Sequence, residues 1–313
     1  MNPKLSVIVV SYFCRDELRQ CLNTLRSAGS LIEVFVIDNA SRDGTREMLE
    51  NEFVDWTNLK VTFNEQNVGL AEANNQPMAE TRGDYVLILN PDTILASEAL
   101  LKMVSYMDVH PDIGVVGPKH IYEDGTPHTS FHYGWNWFRM VVWTVVPYRI
   151  MRLLYNRMRT YAHRDVYFVS GACLLIRREL FVALQGYDKN YFLATEDVAD
   201  LCLRVRQKGS RVVFYPAAQV IHIGACSSKK PSVKPFSFYK AMQGRLYFQK
   251  KHGLLAGYWS LYVIILANSA IKMLIYGLGS LISERYKNMY RVHVYALRKL
   301  CDEPVPSQDG EIR

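Results

Sequence analysis

The chain has 313 residues, of which 49% are apolar and 21% charged, and the composition is that of an ordinary globular protein. It excludes a disordered, collagen-like or low-complexity protein, and the length is compatible with one large α/β domain. The six cysteines are scattered without a Cys-x-x-Cys pair, which excludes a zinc module and a dense disulfide framework and predicts a reducing compartment.

The formal net charge of +7 is unevenly distributed along the chain. Residues 137–164 carry six arginines and no acid, and residues 223–283 carry eight lysines and arginines and no acid. Such asymmetry predicts an anionic partner, either a phospholipid surface or nucleic acid. Long aliphatic stretches separate the basic residues where a nucleic-acid binder would need stacking platforms, so we expect a membrane surface and no nucleic acid.

Strand and helix patterns alternate over the first hundred residues. Short runs rich in Val and Ile predict buried strands at residues 5–11, 32–38 and 84–90. The segments between them predict helices at residues 15–27, 45–51 and 70–81. This alternation predicts an α/β fold with a doubly wound, mostly parallel sheet, in which ligands bind at the carboxyl ends of the strands.

The second half of the chain continues the pattern more weakly. Residues 167–176 predict two strand pieces interrupted by a turn of small residues, and residues 191–208 predict a loop that becomes a helix. The last strand patterns lie at residues 211–215 and 219–222.

Polar side chains follow the predicted strands. Asp38 ends the second strand, and Asp92 follows the third. Mg²⁺ and Mn²⁺ prefer oxygen ligands and are usually held by one or two carboxylates and substrate phosphates, so Asp92 is a candidate ligand beside Asp38. Each aspartate can instead cap a helix or turn, Asp92 the helix expected near Ser97 and Asp38 its own turn. Ser41 or Asp43 is placed to cap the second helix.

Four ordered motifs, taken together, resemble the inverting family 2 glycosyltransferases. They are VVSY at residues 9–12, VIDNASRDGT at 36–45, NVGLAEANN at 67–75 and LNPDT at 89–93. Later parts of the resemblance are a Ser-Gly-Ala turn at 170–172, a Glu-Asp pair at 196–197, His-x-Gly at 222–224 and Lys-His-Gly at 251–253. The resemblance covers about residues 4–252 and is strongest to bacterial rhamnosyltransferases of cell-surface polysaccharide assembly.

This resemblance implies a GT-A fold and a set of donor-binding residues. The nucleotide-sugar-binding catalytic domain would occupy residues 1–225, and residues 226–313 would form a C-terminal helical, membrane-associating region. The donor-binding positions that match are Ser11, Asp38, Asn67, Gly69, Asn90, Asp92, Ser170, Gly171 and Ala172.

The resemblance also implies what the matching residues do. Ser11 and Asp38 would hold the base and ribose of the nucleotide, while the backbone at Asn67 and Gly69 would approach it closely. Asn90 and Asp92 occupy the family's Asp-x-Asp positions, so Asp92 would bind Mg²⁺ or Mn²⁺ on the diphosphate, with Asn90 in place of the first acid. His222 is either a further metal ligand or phosphate contact, or a structural histidine.

An inverting transfer needs one general base beside the acceptor hydroxyl. The resemblance implies Asp197 in this role, with Glu196 as the second candidate. This chain has one more residue between the acidic pair and Arg204 than its relatives, which a helix bulge could absorb. The alternative is an acidic first turn that favours the helix dipole.

Residues 254–271 contain eighteen residues without a charge, about the length that spans a bilayer. Basic residues on both flanks argue against a single crossing. We expect two short interfacial helices, or a re-entrant hairpin broken near residues 268–272. The alternative is a helix packed on the main domain or on a second copy, which leaves a homo-oligomer open. The start of the sequence lacks signal-peptide features, so we expect a cytoplasmic protein at the inner face of the cell membrane.

The expected activity is an inverting, metal-dependent, non-processive glycosyl transfer. No Gln-x-x-Arg-Trp motif of processive synthases occurs, which favours the transfer of one sugar per encounter. The resemblance favours rhamnose from dTDP-rhamnose as the sugar, and the basic and apolar C-terminal region fits a lipid-linked or polysaccharide glycan as the acceptor. The alternatives are another hexose from a UDP- or GDP-sugar, or a catalytically idle nucleotide-sugar-binding scaffold. A dinucleotide oxidoreductase is disfavoured because no Gly-x-Gly-x-x-Gly follows the first strand.

Overall fold

The computed structural model describes residues 3–146, 150–151, 164–193, 195–224, 234–253, 255–280, 283–302 and 305. The strands in these residues are β1 (Leu5–Ser11), β2 (Ile32–Asp38), β3 (Leu59–Phe63), β4 (Tyr85–Leu89), β5 (Thr93–Ile94), β6 (Ile113–Ile121), β7 (Phe131–His132), β8 (Arg164–Asp165), β9 (Phe168–Val169), β10 (Cys173–Arg177) and β11 (Arg211–His222).

The α-helices alternate with these strands and then continue alone. They are α1 (Arg15–Arg26), α2 (Thr45–Glu52), α3 (Leu70–Asn75), α4 (Ser97–Asp108), α5 (Trp137–Val145), α6 (Arg178–Ala183), α7 (Glu196–Gln207), α8 (Lys234–His252), α9 (Leu255–Gly279) and α10 (Glu284–Asp302).

Within the described residues, nine strands form one sheet in the order β3-β2-β1-β4-β10-β6-β11-β5, and β8 pairs with β11. The first four are parallel to one another, and β6 is parallel to β11. β10 lies antiparallel between β4 and β6. The predicted α/β class is therefore confirmed, with this antiparallel strand inside a mostly parallel sheet. β7 and β9 form a separate two-stranded sheet.

The sheet is covered on both faces, which explains its continuous apolar runs. Every residue of β1 is buried, so neither face of this strand meets water. One face packs against the apolar sides of α1 and α4, through residues such as Leu22 and Met103. Helical spacing places the buried residues of α1 on a single stripe, Leu18, Cys21, Leu22 and Leu25.

The predicted strands at residues 5–11, 32–38 and 84–90 are confirmed almost to the residue. The third predicted helix is wrong in length, because α3 ends at Asn75 and Pro77 separates it from a short 3₁₀ turn at Met78–Glu80. The patterns at 211–215 and 219–222 belong to one strand, β11, whose register shifts between Tyr215 and Gln219. β3 and β6 carried no predicted strand.

The chain divides into two compact units. The first comprises Met1–Gly134, Thr160–Lys189 and Asp197–Ser227 and contains the sheets. The second comprises Trp135–Arg159, Asn190–Glu196 and Ser228–Arg313 and contains α5, α8, α9 and α10.

The apolar C-terminal segment is one continuous helix. α9 runs for 25 residues without interruption, so the expected break near residues 268–272 is wrong. Inside the second unit, the amide nitrogen of Asn268 donates to the carbonyl of Thr144 at 3.0 Å, which gives this polar residue a partner without breaking the helix. Among the described helices, α9 alone is long and apolar enough to cross a membrane, which by itself is weak evidence for a span.

The structure describes the state of five of the six cysteines. Cys21, Cys173, Cys202 and Cys301 are free thiols, and Cys14 is disulfide-bonded. The reducing compartment expected from the sequence does not account for the bond at Cys14.

Gly83, which lies shortly before β4, packs closely against the backbone of the first residues of β1, and its substitution tests this contact. A Cβ at Gly83 would lie 2.6 Å from the backbone nitrogen of Ser6, which cannot move without shifting β1. We expect Gly83→Ala to lower the free energy of unfolding by about 1–3 kcal/mol in urea titrations, because overpacking against backbone forces a shift. The control is Gly277→Ala on α9, where a Cβ would make only an ordinary van der Waals contact, 3.6 Å from Cε2 of Tyr290. A loss at Gly83 no larger than at Gly277 would contradict this.

Candidate active site

The carboxyl ends of β1 and β2 place two buried polar groups side by side. Ser11 and Asp38 are partners in the parallel register, and the N–H of Asn39 donates to the carbonyl of Ser11 at 2.8 Å. In the described part of the protein, neither the Ser11 hydroxyl nor Asp38 Oδ1 has a hydrogen-bond partner, although both are buried. Burial raises the pKa of the Asp38 carboxyl above its usual range. Unsatisfied buried polar atoms of this kind are typical of a ligand site.

Asp38 also shapes its own turn. Its Oδ2 accepts from the N–H of Ser41 at 3.2 Å, so the turn-capping alternative holds for one oxygen and leaves the other available. Ala40 within this turn has φ +66°, a left-handed conformation that costs an alanine about 1 kcal/mol or more.

Ser41 and Asp43 do not cap α2, contrary to the prediction. The N-cap of α2 is Gly44, without a side-chain hydrogen bond. Ser41 Oγ accepts from the N–H of Phe13 at 2.9 Å, and Asp43 Oδ2 accepts from the N–H of Arg15 at 3.2 Å. Both side chains therefore tie the turn after β2 to the turn after β1.

Asn39 organises the next loop and was missed by sequence reasoning. Its amide nitrogen donates to Asn67 Oδ1 at 2.7 Å, and its Oδ1 accepts from the N–H of Val68 at 3.1 Å. Asn67 Oδ1 also accepts from the N–H of Gly69 at 3.0 Å. Gly69 has φ +92°, which suits glycine. The side-chain oxygen of Asn67 is therefore occupied in holding the loop. The effect on a nucleotide that the sequence predicted for Asn67 would act through the backbone.

Asp92 lies in the turn after β4 and is buried. The N-cap of α4 is Ala96 with no side-chain hydrogen bond, so the alternative that Asp92 caps this helix is wrong. The turn is closed by the Thr93 hydroxyl, which donates to the carbonyl of Asn90 at 2.7 Å.

His222, the last residue of β11, meets Asp92 across the sheet. His222 pairs with Thr93, and the N–H of Ile223 donates to the carbonyl of Asp92 at 3.0 Å. His222 Nε2 lies 3.3 Å from Asp92 Oδ1. The other ring nitrogen, Nδ1, is buried without a hydrogen-bond partner among the described residues. An imidazole and a carboxylate that converge in this way fit a divalent metal ion.

The Ser-Gly-Ala turn lies against both Asn90 and the helix that carries Asp197. The N–H of Asn90 donates to the carbonyl of Ala172 at 2.9 Å, and the N–H of Ala172 donates to Ser170 Oγ at 3.3 Å. A Cβ at Gly171 would lie 2.6 Å from Cγ2 of Val198, the residue after Asp197. Glycine is required there because α7 approaches the turn so closely.

Asp197 and Glu196 open α7, which is α-helical over all of its twelve residues, so no bulge absorbs the extra residue. Asp197 is buried, and its Oδ1 accepts from the N–H of Val198 at 2.7 Å. Further along, Asp200 and Arg204 form a buried ion pair at 2.7 Å that fixes the helix to the loop at residues 184–186.

Comparison with known proteins identifies the family. Residues 6–184, more than half of the chain, match the family described as glycosyl transferase family 2. The chain belongs to glycosyl transferase family 2. It is therefore a glycosyltransferase, and the fold expected from the resemblance is confirmed.

Two relatives are named as rhamnosyltransferases. The N-acetylglucosaminyl-diphospho-decaprenol L-rhamnosyltransferase of Mycobacterium tuberculosis is 28% identical over 245 residues, 73% of this chain and 78% of that protein. The rhamnosyltransferase WbbL of Escherichia coli is 25% identical over 244 residues, 74% of this chain and 88% of that protein. A solved mannosyltransferase of Pyrobaculum calidifontis, with GDP-Man and Mn²⁺, shares the fold with a TM-score of 0.59 at 17% identity, covering 99% of this chain and 89% of its own.

In this glycosyltransferase, Glu196 has different surroundings from Asp197. Glu196 is buried in the second unit, where its Oε1 lies 3.4 Å from Nε of Arg245. Burial raises the pKa of Glu196 to about 7, although the nearby Arg245 opposes the shift. Arg245 also donates to the Thr144 hydroxyl at 3.1 Å. Thr195, just before the pair, has φ +117°, a strained value for a β-branched residue.

The raised pKa of Glu196 predicts a pH-dependent stability. The stabilising contribution is complete below the ordinary pKa near 4.5 and is lost as the pH rises through about 7, because the folded protein favours the protonated acid. Relative to Glu196→Gln, the wild type should therefore lose up to about 3 kcal/mol between pH 4.5 and 8, at about 1.4 kcal/mol per pKa unit. Urea titrations at both pH values measure this difference.

The matched control for Glu196 is Glu179→Gln, an exposed acid on α6. This variant should follow the wild type across the same pH range. A Glu196→Gln curve parallel to the wild-type curve would contradict the raised pKa.

Proposed function

We propose that this chain transfers L-rhamnose from dTDP-rhamnose, with inversion, to a hydroxyl of a glycan carried on a polyprenyl diphosphate. The observation that carries the proposal is the contact between the Asp92 carboxylate and the His222 imidazole, which lie 3.3 Å apart. Strands β1 and β2 of the same sheet end at Ser11 and Asp38, each of which has a buried polar atom without a hydrogen-bond partner among the described residues. The names of the two relatives support the sugar, and the name of the mycobacterial relative supports the acceptor class.

The donor nucleotide would bind at the ends of β1 and β2. Ser11 Oγ and Asp38 Oδ1 are the buried polar atoms available to hydrogen-bond the base and ribose. The loop that Asn39 and Asn67 hold brings the backbone at Gly69 to the start of α3. Asn90 and the Ser170–Gly171–Ala172 turn would complete the donor pocket, because Asn90 and Ala172 are already hydrogen-bonded to each other.

Asp92 and His222 would hold the divalent ion. When bound, Mn²⁺ or Mg²⁺ neutralises the negative charge that develops on the departing diphosphate. Asp92 is positioned for this by two strands, since β4 precedes it and its carbonyl is hydrogen-bonded to the residue after β11.

Asp197 would act as the general base. It would accept the proton of the acceptor hydroxyl while that oxygen attacks the anomeric carbon, and the bond from that carbon to the diphosphate oxygen breaks on the opposite face. This role is supported by the close approach of Val198 to Gly171, which brings the start of α7 next to the Ser-Gly-Ala turn. Glu196 is the second candidate, because a pKa of about 7 suits proton transfer near neutral pH.

Substitution of the acidic pair tests the activity directly. We expect Asp197→Asn to lower the rate of transfer by about 10²–10⁴-fold with unchanged affinity for dTDP, because a general base acts on the chemical step and does not hold the nucleotide. Asp92→Ala should reduce both rate and donor affinity. The measurements are transfer of labelled rhamnose to a diphospholipid-linked acceptor and calorimetric binding of dTDP.

The matched control is Asp165→Asn, an exposed aspartate on β8. A larger loss in Glu196→Gln than in Asp197→Asn would assign the base to Glu196. Equal rates in all variants would favour the scaffold alternative. Thermal stabilisation by UDP- or GDP-sugars in place of dTDP-rhamnose would favour a different hexose, because a donor stabilises the native state that binds it.

We also propose that the C-terminal region, residues 226–313, binds the inner face of the cell membrane. Leu255, Trp259 and Val263 lie four residues apart on α9, and each side chain is more than half exposed. Further along the helix, four more apolar side chains are also more than half exposed, those of Ile271, Leu274, Ile275 and Leu278. An exposed apolar stripe on a helix, next to the basic last turn of α8, is typical of an interfacial contact.

Vesicle flotation tests this surface. We expect the double variant Trp259→Ser/Leu274→Ser to bind vesicles of phosphatidylcholine and phosphatidylglycerol at least about tenfold more weakly. The reason is that the variant lacks two apolar side chains that the wild type would bury in the bilayer. The control Val54→Ser/Leu101→Ser removes two exposed apolar side chains from the first unit. Equal binding of both double variants would contradict a membrane role for α9.

A further inference from the structure

Two histidines that the proposed function does not use lie next to Asp92 and His222. His120, His128 and His222 each offer a ring nitrogen within 4.8 Å of the others. All four residues belong to the first unit, so the sheet itself brings them together.

The sheet and one hairpin fix the position of the three histidines. His120 is the second-last residue of β6, which pairs with Val220 of β11, two residues before His222. The chain then reverses in a turn closed by the N–H of Tyr122, which donates to the carbonyl of Thr126 at 2.8 Å. After the turn, the N–H of His128 donates to the carbonyl of His120 at 3.0 Å.

The ring of His128 faces a backbone carbonyl at one nitrogen. Its Nδ1 lies 3.3 Å from the carbonyl oxygen of Thr129, which only accepts, so this contact is a hydrogen bond in the tautomer that carries the proton on Nδ1. In that tautomer the lone pair is on Nε2. A Cβ at Gly224 would lie 3.8 Å from this Nε2, so the nitrogen is directed at the end of β11, where His222 lies. A backbone carbonyl on the far ring nitrogen is the usual support of a metal-binding histidine.

The three histidine nitrogens lie close enough together to approach one ion, and Asp92 contacts one member of that group, His222. Asp92 Oδ1 and His222 Nε2 are 3.3 Å apart, close to the roughly 3 Å between neighbouring ligands of an octahedral ion with bonds of about 2.1 Å. The ring centroids of His128 and His222 are 4.7 Å apart, and those of His120 and His222 are 5.9 Å apart. Opposite ligands of such an ion lie about 4.2 Å apart and neighbouring ones about 3 Å, so nitrogens up to 4.8 Å apart must approach one another by about 0.6 Å for one opposite pair and by up to about 1.8 Å for the other pairs.

We infer that His120 and His128 join Asp92 and His222 as ligands, and that this histidine-rich site selects a transition-metal ion such as Mn²⁺ or Co²⁺ over Mg²⁺. Imidazole nitrogen suits first-row transition metals, whereas Mg²⁺ prefers an oxygen shell. This rests on the proposed function in one respect, that the same ion faces the donor diphosphate, whose oxygens would take the remaining positions.

Cobalt binding tests the inference without any measurement of transfer. Full-length wild-type protein, stripped with a chelator, is titrated with Co²⁺ in the presence and absence of dTDP. We expect a visible d–d absorption band of histidine-ligated cobalt and a rise in Tm, and no rise with Mg²⁺ at the same concentration. His120→Gln and His128→Gln should each weaken Co²⁺ binding by at least about tenfold.

His132→Gln is the matched control, because His132 lies on β7, stacked on Phe168, outside the cluster. It should bind Co²⁺ like the wild type. Equal Co²⁺ affinity in the wild type and in both cluster variants would overturn the inference, and so would equal stabilisation by Mg²⁺ and Co²⁺, while both results would leave the proposed transferase intact.

Nitrogen hyperfine spectroscopy on Mn²⁺ bound to the wild type needs no variant that must fold. Modulation from three imidazole nitrogens supports the inference, and modulation from two or fewer overturns it. Conversely, absence of rhamnose transfer with a normal three-nitrogen spectrum would reject the proposed function and keep the metal site.

Discussion

The antiparallel insertion of β10 between β4 and β6 is the constraint on which the site depends. A strand that runs opposite to both neighbours keeps those neighbours parallel to each other, so β4 and β6 end at the same edge of the sheet. β10 begins at that edge, where Cys173 pairs with Leu89. The turn before β10 therefore meets the turn after β4, and the hydrogen bond from Asn90 to Ala172 follows from the register.

The same edge explains why His222 meets Asp92, which lies in a distant part of the sequence. β11 is parallel to β6 and continues past it, and its last two residues pair with β5 directly after Asp92. The polar groups are buried because α1 and α4 cover one face of the strands that lead to them. Local hydrogen bonds offset their desolvation only in part, because within the described ranges Ser11 Oγ, Asp38 Oδ1 and His222 Nδ1 are buried without a hydrogen-bond partner.

The sequence was sufficient for the strands that are buried along almost their whole length. β1, β2 and β4 are rich in Val, Ile and Leu and are interrupted inside only by Ser6 in β1 and by half-buried Glu33 in β2. Their bounds and the acids that follow them could therefore be predicted. β3 lies at the edge of the sheet and is half-buried, so its run is mixed with polar residues. β6 contains Gly117 and Pro118, followed by the polar residues Lys119 and His120, and these four interrupt the strand pattern.

The histidine cluster could not be predicted for a different reason. His120 and His128 are eight residues apart, and only the hairpin register brings one opposite the other. His222 is about a hundred residues further along, and it comes close to His120 only because β11 pairs with β6. Strand order is a property of the whole sheet and leaves no local signal in the sequence. The identity of a metal ligand at a strand end can therefore be proposed from a motif, but the complete ligand set requires the topology.

The acidic pair at the start of α7 shows how adjacent residues acquire different chemistry. Successive residues of an α-helix point about 100° apart, so Glu196 and Asp197 cannot share one environment. Glu196 is enclosed with Arg245, and its burial keeps a proton on the acid up to about pH 7. Asp197 is instead held by the N–H of Val198, beside the turn at Gly171. The extra residue before Arg204 does not disturb this division, because the helix is regular from Glu196 onward and its geometry, not the spacing to the arginine, decides which acid faces which surroundings.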